Sequence, residues 1–167
     1  VVQPTVAEPS RKTPKLAPPV RLELPGLGLS ARIVPVAVDP DGALDVPADP
    51  DVLGWWRSGA RPGQAWGSVL IDGHVDSATK GLGVFARLRE LEPGAPVLTE
   101  SASGDLHRYR VTGRRQFPKE ALPAETIFSQ DVAERLVLIT CGGRFDPEEG
   151  RYADNVVVFA VPDGDAN

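Results

Sequence analysis

A thiol and an imidazole are the scarcest reactive groups in this chain of 167 residues, which holds one cysteine, Cys141, and two histidines, His74 and His107. A cysteine becomes a strong nucleophile when a nearby imidazole can take its proton, so the chemistry such a set could support is covalent acyl transfer. Cys141 follows the run Arg135-Leu-Val-Leu-Ile-Thr140 and precedes Gly142-Gly143. That run is short, β-branched and almost uninterrupted, the pattern of a buried strand. A strand end followed by two glycines sets a side chain at a rim with little bulk to block a substrate backbone. Free cysteines are also among the most buried residue types. On position alone, nucleophile and structural thiol weigh equally.

His74 stands in Gly73-His74-Val75-Asp76, after the apolar run Gly67 to Ile71, and so at or just past another strand end. A lone histidine is more often a surface or satisfied residue than a catalyst. His107 lies in an alternating, strand-like segment with no glycine beside it, which leaves His74 the better placed partner for the cysteine. Acyl transfer further needs a donor for the developing oxyanion. Arg144 stands shortly after the cysteine and Arg151 opens the last strand, and each reads equally well as a solvated arginine. Lys80-Gly81-Leu82-Gly83 echoes a phosphate loop only in its glycines and lacks the strand-to-helix context. One cysteine excludes an internal disulfide and a cysteine-rich zinc site.

The elements that must hold these groups are strands. The 17 prolines are about twice the ordinary usage of ~5%, and proline breaks helix interiors, which argues against a helical bundle. Apolar residues make up 41% and charged residues 25%, ordinary values for one globular domain. The net charge of −5 offers no basic face for nucleic acid. Arg108, Arg110, Arg114 and Arg115 fit the solvated face of one strand. There is no apolar run of ~18 residues, no signal peptide and no initial methionine, so the chain reads as trimmed.

Residues 1–19 carry prolines at 4, 9, 14, 18 and 19 with no hydrophobic period, which reads as an extended linker or tether. Val20 to Leu24 alternates as a half-buried strand, and Ala31 to Val38 is a second β-rich run. Asp39-Pro40-Asp41-Gly42 marks a turn. Asp49 to Trp56 is too short for more than one or two helical turns, and Val84 to Leu91 has helical spacing. Val97 to Thr99, Leu106 to Thr112, Arg135 to Thr140 and Val156 to Val161 are strand candidates, whereas Phe117 to Asp131 is irregular with one helical turn at most. Seven or eight short strands with proline-glycine turns favour a closed or nearly closed, antiparallel-rich barrel. Residues 163–167 form a short tail.

Together these residues resemble the sortase family. Gly67-Ser-Val-Leu-Ile-Asp-Gly-His74-Val-Asp-Ser is similar to the segment around the family's catalytic histidine. Leu138-Ile-Thr-Cys141-Gly-Gly and Tyr152-Ala-Asp-Asn155-Val-Val-Val are similar to its cysteine strand and the strand after it. Thr-Cys-Gly-Gly-x-Phe-Asp is nearest to the class F or class E members. Further echoes are Gly54-Trp55-Trp56, Gly59-Ala-Arg-Pro-Gly63 and Arg21-Leu-Glu-Leu-Pro25, and the likeness covers about residues 20 to 162.

The resemblance implies a mainly β fold, an eight-stranded β-barrel with a few short helices in its connections. It implies a cysteine transpeptidase that cleaves an Leu-Pro-x-Thr-Gly-like sorting signal through a thioester and joins the product to an amine of the cell-wall precursor. No cofactor or metal is implied. The partners would be sorting-signal peptides and that amine, with the domain a monomer facing the cell wall outside the cytoplasm, membrane-anchored through a segment absent from this chain. Cys141 would be the nucleophile and His74 the proton carrier, with Thr140 and Asn155 supporting substrate or oxyanion. The family's arginine falls at Asn155 or Ala153 when the apolar runs are aligned, and neither is arginine. Arg151 shares their strand parity and is the favoured third residue, with Arg144 the alternative. Papain-like and amidase domains place cysteine before histidine, and L,D-transpeptidases want a His-Gly-Cys-like context, so both are set aside. The standing alternative is a surface-displayed β-barrel binding module with a structural cysteine.

Overall fold

A computed structural model describes residues 16–77, 81–148 and 151–164, and for 76–77, 141–146 and 151–153 it describes the backbone alone. The chain runs β1 (Pro19–Leu24), β2 (Leu29–Val36), β3 (Val52–Trp56), β4 (Ser68–Gly73), β5 (Asp76–Ser77), β6 (Gly81–Leu82), β7 (Pro96–Ser101) and β8 (Leu106–Pro118). A one-turn helix, α1 (Ala124–Ile127), precedes β9 (Arg135–Asp146) and β10 (Arg151–Pro162). Eight of these strands close into a barrel in the order β1-β2-β3-β4-β9-β10-β8-β7, and β5-β6 form a separate two-stranded ribbon. The expected mainly β barrel is therefore the fold. Six of its eight neighbouring pairs are antiparallel, and β2-β3 and β4-β9 are parallel.

Alternation decides which side chains fill the interior. Leu22 and Leu24 of β1, Val69 and Ile71 of β4, and Leu136 and Leu138 of β9 point into one large cluster with Trp55, Phe85 and Tyr109. The opposite faces of β4, β9 and β10 supply Leu70, Val137, Ile139 and Val157 to a second cluster, covered by Ile127 from the β8–β9 connection. The sheet is thus wet on neither face here, which is why β4 is buried at all six positions.

Two elements depart from the sequence reading. Residues 52–56, with room for one or two helical turns at most, are a strand. Propensity yields here to the barrel: β3 fills the gap between β2 and β4, hydrogen-bonding to both, and puts Leu53 and Trp55 inside. Val84–Glu90, with its helical spacing, winds as a 3₁₀ helix that inserts Phe85 and Leu88 into the core. The last two strands are also longer than their apolar runs, because β9 and β10 go on pairing as a hairpin out to Arg151↔Asp146.

The expected linker falls mostly on residues 1–15, outside the described residues. Its end lies earlier than residue 19. Pro19 already pairs with Ser101 of β7, and the Pro18 carbonyl accepts a hydrogen bond from the Ala102 amide at 2.9 Å. A chain beginning at Leu16 is expected to keep the melting temperature and peptide turnover of the full chain. One beginning at Val20 is expected to melt measurably lower, by the loss of a strand-end pairing worth ~1 kcal/mol. Equal losses in both truncations, read by thermal unfolding, would assign the stabilising contact to residues 1–15 instead.

Candidate active site

The parallel ladder between β4 and β9 sets the site. Its register runs from Ser68↔Arg135 to Gly73↔Thr140, so the next residues along the two strands are His74 and Cys141. On its other side, β9 pairs antiparallel with β10, and the Cys141 backbone lies opposite Asn155. At the junction the Thr140 hydroxyl donates to the Gly73 carbonyl at 2.5 Å, a buried bond between residues 67 apart in sequence. The backbone thereby brings the two predicted reactive residues side by side, His74 just past the end of β4 and Cys141 within β9 rather than at its expected end, because β9 runs on to Asp146 in its hairpin with β10.

His74 is half-buried, and its segment is clamped from two sides. The Gly83 amide donates to the Val75 carbonyl at 2.7 Å, and Gly83 packs so close to the His74 carbonyl that a Cβ there would collide with it. Beneath, a Cβ on Gly73 would come 2.5 Å from Leu53 Cδ2 and 3.0 Å from Phe85 Cδ2. Glycine before the histidine is a packing requirement: the barrel's core reaches up to the strand end that carries the imidazole.

Beside these strand ends lies a cleft of about 330 Å³. Its floor is the β4-β9-β10 face, one wall is the turn at residues 42–46, and the other is the β8–β9 connection with Leu122 and Phe128. His74, Thr140 and Asn155 line it, so three of the predicted residues share one cavity. The walls are mainly apolar, with a few polar groups converging at the His74 end.

The side chains of Cys141, Arg144 and Arg151 lie outside the described residues. Their backbone positions do bear on the arginine question. Arg144 is on strand β9 rather than in a loop, and Arg151 faces Asp146 at the far end of the β9–β10 hairpin. His107, on β8 opposite Thr99, lines a different small cavity with Tyr109 and Glu134. The arginines at 108, 110, 114 and 115 are exposed as their spacing implies, and Arg114 donates to the Leu91 carbonyl at 2.6 Å. Among the described residues no cluster could hold a metal ion.

One cleft residue escaped the sequence reading. Asp72 is only 3% exposed, and neither of its carboxylate oxygens has a hydrogen-bond partner. Burial pushes its carboxyl up to about 8, the nearby Asp45 adds to this, and the amides of Asp72 and Gly54, near but poorly aligned, pull it only partly back. The available signal was its place in the run Leu70-Ile-Asp-Gly-His74, on the same strand parity as Leu70 and His74.

Comparison with known proteins agrees with this architecture. The Sortase domain family matches residues 22–163. No curated protein sequence matches. Among solved structures, sortase C-1 from Actinomyces oris superposes with a TM-score of 0.68 at 18% identity, over 87% of this chain and 73% of that one. Sortase A from Corynebacterium diphtheriae gives 0.65 at 20% identity over 90% and 64% of the two chains. Sortase E1 from Streptomyces coelicolor, solved with a tripeptide in its active site, gives 0.64 at 16% identity over 89% and 88%. At such identities the structures attest the shared fold.

The raised Asp72 carboxyl has a consequence for stability. The folded state keeps a proton that an unfolded chain, with a carboxyl near 3.8, has released. Between about 4 and 8 the folded state therefore binds more protons, and raising pH favours unfolding. Asp72→Asn removes this dependence. Its melting temperature relative to the unsubstituted protein is expected to rise from pH ~5 to pH ~8.5, and a constant difference across that span would show that Asp72 titrates normally.

Proposed function

The chain belongs to the sortase family of transpeptidases, and from that premise we propose that Cys141 and His74 exchange the threonine carbonyl of a sorting signal between two amines. The observation that supports this most is the β4–β9 register, which ends one step short of both residues on adjacent strands. The Cys141 thiolate attacks the carbonyl of the threonine in an Leu-Pro-x-Thr-Gly-like signal. The tetrahedral oxyanion collapses to a thioester as the C–N bond to glycine breaks, and His74 protonates the departing amine. An amine of the cell-wall precursor then attacks the thioester, His74 takes its proton, and the thiolate is restored.

An oxyanion needs a fixed donor about 3 Å away. Arg151 is assigned this role for its strand parity with the family's position, and Arg144 is the alternative. Asn155 supports the same end of the cleft, lying opposite the Cys141 backbone and lining the cavity. Thr140 supports it by holding the strand ends together through its bond to Gly73. The work is assigned to the outer face of the cell membrane. No helix among the described residues is long and apolar enough to cross a bilayer.

Cys141→Ala and His74→Ala are each expected to abolish transfer of a labelled pentapeptide to an amine while the fold survives, and His107→Ala to keep most activity. Turnover by a clean Cys141→Ala preparation, followed by mass spectrometry, would sink the mechanism. For the third residue, Arg151→Ala is expected to lose ~100- to 1000-fold in turnover, the usual effect of one lost oxyanion donor. Arg151→Lys should recover little, because lysine lacks the planar fork, and Arg144→Ala should be milder. The reverse ranking in the same assay hands the role to Arg144.

A further inference from the structure

A second groove lies on the same outer face of the sheet as the cleft, with α1 between them: Ala124 and Phe128 line the cleft and Thr126 lines the groove. It measures about 420 Å³. Phe159 and Val161 of β10 form an apolar floor, and the strands on either side each contribute an arginine, Arg135 from β9 and Arg115 from β8. Alternation sends both outward. Arg135 shares the parity of Val137 and Ile139, Arg115 pairs with Val157, and all three of these apolar residues belong to the outer cluster. Arg110 of β8, exposed and opposite Val161, adds a third guanidinium at the rim.

Arg135 is fixed in place. Its Nε donates to the Ser68 hydroxyl at 2.9 Å, its Nη2 donates to the Thr126 carbonyl, and its guanidinium lies 5.4 Å from the centre of the Phe159 ring. A guanidinium has five N–H donors, so this tie between β4, β9 and α1 uses two and leaves three. Burial lowers the pKa of the group, and no carboxylate offsets the cost. Glu125, next to Thr126, is exposed and makes no ion pair with it, and among the described residues Arg110 and Arg115 have no acidic partner either. Three cations without a counter-charge thus gather on a chain whose net charge is −5. The structural tie explains Arg135 alone. It does not explain two further unpaired arginines about the same apolar floor.

We propose that this groove is a binding site for a phosphate monoester, in which Arg135 and Arg115 hold the phosphate and Phe159 and Val161 carry the esterified carbon chain. The disposition of charge selects the anion. A carboxylate has two coplanar oxygens and one charge, which a single guanidinium fork satisfies. Guanidinium groups on two different strands suit a tetrahedral dianion, whose oxygens point in several directions. An ester suits the groove better than the free ion, because the floor between the arginines is apolar and only a ligand with carbon to place there removes it from water. The site stands apart from the transfer chemistry. Four residues of β10, ~13 Å at the usual strand rise, separate Phe159 from Asn155, and the groove and the cleft share no lining residue.

Titration of the full chain followed by amide NMR tests the site. The probes are sn-glycerol 3-phosphate, inorganic phosphate, malonate, and phosphatidylcholine vesicles with and without phosphatidic acid. Glycerol 3-phosphate is expected to shift the Thr112, Gly113 and Val161 amides saturably, with a Kd of ~1 mM or tighter. Arg115→Gln is expected to weaken binding about tenfold or more, the loss of one charge-assisted contact, with melting temperature and peptide turnover unchanged. Arg135→Lys, which keeps the charge without the fork, should weaken it as well, and if that variant melts early Arg115→Gln decides alone. Saturable binding of glycerol 3-phosphate makes a soluble monoester the source. Binding only to the phosphatidic acid vesicles, abolished by Arg115→Gln, makes the source a lipid headgroup, and either result upholds the site. Malonate or inorganic phosphate binding as tightly as the ester, no binding of ester or vesicle, or binding indifferent to Arg115→Gln overturns it.

Discussion

The pairing of β4 with β9 is the constraint on which the rest of the molecule depends. These strands are remote in sequence, and their parallel register alone brings a histidine and a cysteine to neighbouring positions where β4 ends beside β9. Everything around the pairing holds it in phase. A slip of β9 by one residue would turn Val137 and Ile139 from the outer cluster toward the barrel interior, and Leu136 and Leu138 outward, while Leu70 of β4 stayed outside. The Thr140 hydroxyl on the Gly73 carbonyl locks the last rung, where ladder hydrogen bonds run out and strand ends ordinarily fray.

Much of this was legible in the residues themselves. Arg135 to Thr140 and Val156 to Val161 announce themselves because strands covered on both faces need apolar side chains at successive positions. The glycine beside His74 was visible too, although its reason was not: the closeness of Leu53 and Phe85, from elements far apart in sequence, is what forbids a side chain there. Val52 to Trp56 was misjudged because a five-residue segment has too few positions for its period to show, and only the neighbouring strands make it extended. The hairpin ends of β9 and β10 went unseen because their sequence carries polar residues and glycines with no apolar run to mark a strand.

Asp72 was the harder case. In sequence it is one acidic residue closing an apolar run, easily taken for a strand-end solvation group. Only the covering turn at residues 42–46 and the β8–β9 connection turn that position into an enclosed one. Burial of a carboxyl is a property of the assembled walls, and no local pattern encodes it.

The topology also governs when the protein can first become reactive. Strand β4 has no permanent neighbour on one side until β9 arrives, and β9 in turn needs β10 to complete its ladder. A bridge spanning 67 residues cannot form until that whole interval is available and its loop-closure entropy has been met. As the chain emerges, the imidazole segment exists well before the thiol segment, and the two meet only in the closing step of the barrel. On the assignment proposed above, a nascent chain lacks the pair, which the backbone completes only as the domain is finished.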